Sequence, residues 1–433
     1  MEHIVIIGNG IAGITAARHI RKLSNKKITI ISSEAEHFFS RTALMYVYMG
    51  HMRWRDIEPY ESWFWQKNRL ELTNAWVEIV DTENKRLHFK EGGTKTYDKL
   101  IIATGSVTNT FGWQGLELNG VQGLVSKQDL ESLEKNAPNN KDCPRAVIIG
   151  GGLIGVEMAE MLRTRNIEVT MLIREEAFWE GALPKPEAKM ISRHIISHGV
   201  DLRPNSELDK ILDNGKGSVR AIITKDGEEI SCSVVGITTG VKPQISFLKN
   251  SEIETDKGIL VNRMLETNIK DVFAIGDCAQ QREPIGNRPP IEAVWYTGRM
   301  MGEAVAQTIC GKPFEYKPGN WFNSAKFFDI EYQTYGWVFS ESRLKDYEAQ
   351  FHWKCNSDLR CVTISYNKNN NEFLGINTFG IRMKHEVFDK WLNEKRSIDY
   401  VIQNLKEANF DPEFFKNYEK EIKSTYINQS VTI

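Results

Sequence analysis

Two glycine-rich segments have residue types and spacing that could hold phosphate groups. The first reads HIVIIGNGIAGITAA from His3, and the second reads AVIIGGGLIGVEMAE from Ala146. In each, a run of β-branched apolar residues leads into the pattern G-x-G-x-x-G, and a helix-like sequence follows. The glycines allow a tight turn and a close approach of the backbone to a pyrophosphate, whose charge the helix N-terminus stabilises. The repeat predicts two dinucleotide sites facing each other, with electron transfer between the two dinucleotides.

The residues assigned to these sites are the glycines and the residues that open each helix. They are Gly8, Gly10, Ile11, Ala12 and Gly13 in the first segment, and Gly150, Gly152, Leu153, Ile154 and Gly155 in the second. In the first unit we predict a helix over Ile14–Leu23 and a second strand over Lys27–Ser32, after which Glu34 follows. An acidic side chain at that place accepts hydrogen bonds from ribose hydroxyls.

Composition limits the classes of protein to consider. The chain has 433 residues, of which 41% are hydrophobic and 26% charged, and a net charge of −2. The length suggests two or three domains, and the charge gives no reason to expect nucleic-acid binding. No apolar run approaches the roughly 20 residues of a membrane span. Because the first strand follows Met1 directly and the six cysteines are not densely spaced, we expect a cytoplasmic protein without a secretory leader.

Further along the chain, other elements surround the two units. A short apolar strand, Leu100–Ile102, ends at Thr104 and Gly105, and the string DVFAIGDCA at 271–279 reads as a strand ending in Gly276 and Asp277. Residues 292–309 are predicted helical. Residues 321–380 alternate as antiparallel strands, and the tail from Lys384 reads as three helical pieces, with Asp411-Pro412 as the cap of the last.

Taken in order, these motifs resemble a known family. Two G-x-G-x-x-G segments, ATGS at 103–106 and GDCA at 276–279 are typical of flavoproteins with two dinucleotide-binding domains and the pyridine nucleotide–disulfide reductase fold. The resemblance covers about residues 1–320. HFFSRTALM at 37–45 is most similar to NAD(P)H-dependent rubredoxin or ferredoxin reductases and to the flavin domain of the large nitrite reductase subunit.

The resemblance implies an α/β fold with two Rossmann-like domains and a C-terminal α+β interface domain. The FAD-binding domain would comprise residues 1–112 and 246–320, the NAD(P)-binding domain 113–245, and the interface domain 321–433. The last region would support the flavin or a homodimer, and the sequence leaves the oligomeric state open.

The resemblance also implies roles for individual residues. The first glycine segment would hold FAD, with Glu34 at the adenosine ribose and Arg41 near the flavin end. Asp277 would bind the ribityl chain or the edge of the pyrophosphate. Further cofactor-binding residues are Thr104, Gly105, Gly240 and Gly276.

The second segment would hold NADPH or NADH, and the sequence does not decide which. Relatives that prefer NADH carry an acid where this chain has Ile173, and the next residue, Arg174, favours the 2′-phosphate of NADPH. Glu175 and Glu176 oppose a phosphate and could instead bind the 2′-hydroxyl of NADH. Glu157 would lie near the nicotinamide as the one catalytic candidate, although a carboxylate stabilised by the helix dipole is an equal alternative.

The chain lacks the thiols of the disulfide reductases. The stretch SRTALMYVYMG at 40–50 contains no cysteine, and no set of residues resembles an iron–sulfur or zinc site, so no metal is predicted. We therefore expect a FAD-dependent NAD(P)H:acceptor oxidoreductase that passes electrons directly to a small rubredoxin- or ferredoxin-like protein. An NAD(P)H oxidase or quinone reductase, and a non-catalytic NAD(P)H-dependent redox sensor, remain as alternatives.

Overall fold

A computed structural model describes residues 1–355, 359–410, 413 and 415–430. The predicted cap pair Asp411-Pro412 lies outside the described residues. The chain divides into two compact units of three stretches each: unit one is Met1–Gly112, Gly120–Pro138 and Ile237–Pro318, and unit two is Trp113–Asn119, Asn139–Gly236 and Gly319–Ile433. The division into three domains stays a prediction.

Unit one is built on a parallel sheet of five strands. Their order is Val272–Ala274, Lys99–Ile102, His3–Ile7, Lys27–Ser32 and Leu70–Asn74. The central strand is almost wholly apolar and buried, as expected for a parallel strand covered on both faces. This sheet holds the first glycine turn at the carboxyl end of its central strand.

Two helices of unit one pack closely together. Helix Ile11–Leu23 lies against helix Trp295–Ile309, in which a Cβ on Gly302 would come within 2.6 Å of the Ala12 carbonyl oxygen. The first helix begins three residues before the predicted Ile14, because the Gly10 carbonyl already accepts a hydrogen bond from the Ile14 amide at 3.0 Å. The second begins at Trp295, within the predicted range 292–309.

The remaining elements of unit one are short. Its helices are Leu44–Tyr48, Trp63–Lys67 and Lys127–Asn136, and its 3₁₀ turns are Arg41–Ala43, Trp54–Ile57, Ser246–Leu248 and Gly276–Cys278. Its other strands are Val77–Asp81, Arg86–Phe89, Thr94–Thr96, Ser106–Thr108, Val121–Gln122, Val241–Pro243, Ile259–Val261 and Ala279–Gln281.

Unit two contains a second sheet with the same kind of βαβ unit. The strand order is Val200–Arg203, Glu168–Leu172, Arg145–Ile149 and Val234–Ile237, and the first three run parallel. Helices Leu153–Thr164 and Lys185–Ser197 follow the strands 145–149 and 168–172 along the chain. A three-stranded antiparallel sheet adds Leu208–Asp213, Val219–Thr224 and Glu229–Ser231.

The C-terminal part of unit two is an antiparallel sheet covered by helices. The strand order is Phe322–Phe327, Ile330–Gly336, Phe373–Phe379, Cys361–Asn367 and Glu348–Lys354. The helices are His385–Asn393, Ile398–Asn404 and Glu419–Ser430, with 3₁₀ turns at Glu341–Arg343 and Leu405–Ala408. Buried aromatic side chains of the sheet and helices, among them Trp353, Phe388 and Trp391, form one core.

The predicted fold class is confirmed. Each unit holds a strand–turn–helix of the dinucleotide-binding type on a parallel sheet, and the C-terminal region is α+β. Within the part of the chain that the structure describes, no helix has the length and apolar character needed to cross a bilayer.

Candidate functional site

The glycine turn of unit one depends on glycines that no other residue could replace. Gly8 has a φ of 111°, and a Cβ on it would lie 2.1 Å from the Ala103 carbonyl oxygen. A Cβ on Gly13 would lie 2.1 Å from the carbonyl oxygen of Gly8. Both approaches are far inside van der Waals contact, so these two glycines let the helix and the neighbouring strand close around the turn.

Gly10 differs from Gly8 and Gly13 because it faces open space. Among the described residues, no atom lies within 4 Å of the position that a Cβ would take, and its φ of −71° is ordinary. Gly10 is the N-cap of helix Ile11–Leu23 and has no side chain to cap it. The first amides of that helix therefore border a space that suits a pyrophosphate.

Glu34 and Arg41 form a bidentate ion pair in unit one. Two guanidinium nitrogens of Arg41 donate to the two carboxylate oxygens of Glu34, each at 2.7 Å, and the Lys127 amide donates to the same carboxylate at 2.9 Å. Arg41 also donates to the carbonyl oxygen of Val125. The resemblance places Glu34 and Arg41 at opposite ends of FAD, whereas the structure brings them together. Which part of FAD either side chain would contact stays a prediction.

Asp277 lies in the 3₁₀ turn that follows strand Val272–Ala274. Its carboxylate accepts a hydrogen bond from the Ser106 hydroxyl at 2.8 Å, and burial raises the pKa of Asp277. A half-buried carboxylate with lone pairs to spare is suited to accept hydrogen bonds from a polyol. Ser106 was not among the predicted site residues, although it is the last residue of the ATGS string at 103–106.

The remaining candidate cofactor-binding residues of unit one make local contacts. Thr104 donates from its hydroxyl to the Gln244 carbonyl at 2.8 Å, and the Gly105 carbonyl accepts from the Gln244 amide at 3.0 Å. Gly240 accepts from the Asn109 amide at 3.0 Å, and a Cβ on Gly276 would lie 3.0 Å from that of Ala12. Their roles toward a cofactor stay predictions.

The glycine turn of unit two repeats the construction of the first. Gly150 has a φ of 119°, and its amide donates to the Leu172 carbonyl at 2.9 Å, just as the Gly8 amide donates to Ile31 at 2.8 Å. No described atom lies within 4 Å of a Cβ on Gly152, which precedes helix Leu153–Thr164. Each unit therefore offers the same open space at an uncapped helix N-terminus.

At the end of the second strand of unit two, a buried residue precedes an exposed cation. Ile173 is 1% exposed and packs into the turn, where its side chain would lie 2.7 Å from a Cβ on Gly151. The Arg174 side chain is 73% exposed and lies 3.6 Å from the Glu175 carboxylate. The guanidinium is accessible to a phosphate, and the competing carboxylate stands beside it.

Glu157 is a half-buried carboxyl with a raised pKa. Burial, and then the nearby charge of Glu160, raise the pKa of Glu157 to about 7. Glu160 itself is paired with Lys326 at 2.8 Å. Near neutral pH Glu157 therefore exists in both protonation states, which agrees with a mechanistic role and does not require one.

Replacing Glu157 by Gln should change how stability depends on pH. The folded state holds the Glu157 proton more tightly than the unfolded state does. The contribution of Glu157 to the free energy of unfolding is therefore complete in acid and is lost as the pH rises to about 7. We expect the melting temperature of E157Q to exceed that of the wild type at pH 8, and the two to converge near pH 5. Calorimetry at both pH values measures this, with Glu117→Gln on the surface as the control. An equal difference at the two pH values would contradict the shifted acidity.

The cysteines lie in buried or half-buried positions. Cys278, beside Asp277, is fully buried and donates to the Ile102 carbonyl at 3.4 Å. Burial raises the pKa of the Cys278 thiol, which disfavours the reactive thiolate. The segment that carries the reactive thiols in disulfide reductases forms the helix Leu44–Tyr48 here.

Comparisons with known proteins agree with these features. The chain is 28% identical over 321 residues to the nitrite reductase [NAD(P)H] of Bacillus subtilis, covering 72% of this chain and 38% of that protein. It is 28% identical over 286 residues to the rubredoxin-NAD(+) reductase of Acinetobacter baylyi, covering 65% of this chain and 72% of that protein. The chain thus spans well under half the length of the first of these relatives.

The fold also matches solved structures. A ferredoxin reductase from Rhodopseudomonas palustris superposes with a TM-score of 0.79 at 20% identity, covering 88% of this chain and 91% of that one. The family model for pyridine nucleotide-disulphide oxidoreductases matches residues 2–302. The predicted family is therefore confirmed, and the chain belongs to the pyridine nucleotide-disulphide oxidoreductases.

Proposed function

We propose that the protein is a FAD-dependent NAD(P)H:acceptor oxidoreductase. The observation that carries this proposal is the repeated construction of the two glycine turns, each with an open space in front of an uncapped helix N-terminus. A lone turn of this kind would suit one dinucleotide. Two in one chain suit a donor and an acceptor of electrons.

The residues of unit one would hold FAD. The amides behind Gly10 would face the pyrophosphate, Glu34 with Arg41 the adenosine ribose, and Asp277 with Ser106 the ribityl hydroxyls. Residues 1–112 with 246–320 would act as the FAD domain, residues 113–245 as the NAD(P) domain and residues 321–433 as the interface domain.

The residues around Gly152 and Arg174 would hold NADPH or NADH. The bound cofactors would supply the chemistry, a hydride from C4 of the nicotinamide to N5 of the flavin. The protein would contribute position, because it would hold each dinucleotide by its phosphates.

The electrons would leave directly to a small rubredoxin- or ferredoxin-like protein. Support comes from the stretch SRTALMYVYMG at 40–50, which contains no cysteine, and from Cys278 near Asp277, which is fully buried. Support also comes from the relative named as a rubredoxin reductase, of which this chain covers more than two thirds. Six cysteines without dense spacing fit a reducing cytoplasm, which we propose as the compartment.

Arg174→Ala tests the choice between NADPH and NADH. If Arg174 binds the 2′-phosphate, we expect kcat/KM for NADPH to fall by about 10- to 150-fold, the value of one charge-assisted hydrogen bond, with little change for NADH. Steady-state kinetics with both cofactors measures this. An equal loss with both cofactors would refute the phosphate role.

The function itself is tested with the purified, FAD-loaded protein. We expect NAD(P)H to bleach the flavin absorbance, and added rubredoxin or ferredoxin to accelerate NAD(P)H consumption well above the rate in air alone. Rapid consumption in air without a protein acceptor would instead identify an oxidase, and reduction without turnover a sensor. Failure to bind FAD would overturn the whole proposal.

A further inference from the structure

Unit two brings together two histidines and an aspartate that the sequence keeps far apart. His194 and His198 lie four positions apart at the end of helix Lys185–Ser197, so both rings face the same side. Asp329 lies in the turn between strands Phe322–Phe327 and Ile330–Gly336, 135 positions from His194. The fold alone creates this cluster.

The three side chains converge at distances suited to a shared ion. The Asp329 carboxylate oxygen lies 2.6 Å from Nε2 of His194 and 3.6 Å from Nε2 of His198. One ligand atom from each residue can be chosen so that all lie within 4.8 Å of one another. Ligand atoms bonded at about 2.0–2.2 Å to a tetrahedral ion are separated from one another by similar distances. Small shifts of the three side chains would therefore let all of them bind one ion.

The ring of His198 is oriented by its surroundings. Its Nδ1 lies 3.0 Å from the His194 carbonyl oxygen, which can only accept a hydrogen bond. The proton of the neutral ring is thereby fixed on Nδ1, which leaves the lone pair of Nε2 directed at Asp329. Phe328 stacks on the same ring at 4.3 Å and holds it in place.

The cluster is buried on one side and open on the other. The His194 side chain is 3% exposed, that of His198 33% and that of Asp329 75%. Water can therefore reach the cluster from the Asp329 side. Three protein ligands with one position left for water are a common arrangement for zinc.

We propose that His194, His198 and Asp329 bind a Zn²⁺ ion. Two imidazoles and one carboxylate favour a borderline transition metal over Mg²⁺ or Ca²⁺, which prefer oxygen ligands. The ion would link the helix to the strand–turn–strand that carries Asp329. Because the ligands are assembled only in the folded chain, binding stabilises unit two. None of the three residues is among those proposed to bind a dinucleotide.

The proposal is tested by zinc titration of the full-length, flavin-loaded protein after treatment with a chelator. We expect one Zn²⁺ per chain by calorimetry, a raised melting temperature, and no response to Mg²⁺. His198→Ala and Asp329→Asn should weaken zinc binding by at least about 10- to 100-fold, the range seen even for outer-shell changes. Both residues are accessible enough for the variants to fold, which unchanged flavin absorbance would verify.

A surface histidine supplies the matched control. His51→Ala removes an exposed histidine of unit one and should leave zinc affinity unchanged. Co²⁺ in place of zinc should give visible absorption bands of a four-coordinate ion in the wild type and lose them in the two ligand variants. Absence of zinc binding, equal affinity in the ligand variants, or an equal loss in His51→Ala would overturn the proposal.

Discussion

Gly10→Val should yield a folded protein that purifies without flavin. The fold tolerates the change, because no described atom lies within 4 Å of the added Cβ and the backbone is in an ordinary extended conformation. The isopropyl group would nevertheless fill the space proposed for the pyrophosphate and block the amides behind it. Each charge-assisted hydrogen bond lost costs about 1.5–3 kcal/mol, so we expect FAD to bind about 100-fold more weakly or worse.

The measurement is the ratio of flavin to protein absorbance, followed by titration of the apoprotein with FAD. Gly181→Val is the matched control, because Gly181 also faces open space without a positive φ and lies in unit two. Gly8→Ala gives the opposite contrast, since its Cβ would clash with the Ala103 carbonyl and it should fail to fold normally. A Gly10→Val protein with a full complement of FAD would remove the first glycine turn from the cofactor site.

Gly152→Val should separate the two cofactors. Gly152 lies in unit two and faces the same kind of open space, so the variant should fold and keep FAD. The valine side chain should occupy the space proposed for the phosphates of NAD(P)H. Because the same charge-assisted hydrogen bonds would be lost as in Gly10→Val, we expect the KM for NAD(P)H to rise by about 100-fold. Dithionite, which needs no nucleotide site, should still reduce the flavin.

Stopped-flow reduction of the flavin at increasing NADPH and NADH concentrations measures the effect of Gly152→Val. Gly181→Val again serves as control and should be reduced at the wild-type rate. Normal reduction of the Gly152→Val flavin would show that this turn holds no nicotinamide cofactor. If Gly152→Val lost FAD as well as flavin reduction by NAD(P)H, the substitution would also disturb the FAD site of unit one.

The sequence alone determined the local structure, which depends on residues close together in the chain. The strand, turn and helix around Gly8–Gly13 and Gly150–Gly155 follow from apolar periodicity and from backbone angles that only glycine adopts easily. The C-terminal strands and helices could be predicted from the same periodicity, whereas the family followed from the resemblance of the motifs at 103–106 and 276–279 to those of known flavoproteins. Even there, the predicted helix start at Ile14 was three residues late, because a helix begins where its first carbonyl accepts a hydrogen bond and not where the apolar pattern starts.

Only the tertiary structure decided which distant residues meet. The bidentate pairing of Arg41 with Glu34 was not predicted, and the hydrogen bond from Ser106 to Asp277 joins residues 171 positions apart. The close packing of Gly302 on Ala12 and the His194–Asp329 cluster were likewise invisible in the sequence. Such contacts depend on how strands order within a sheet and how helices cross, and no local pattern of residue types carries that information.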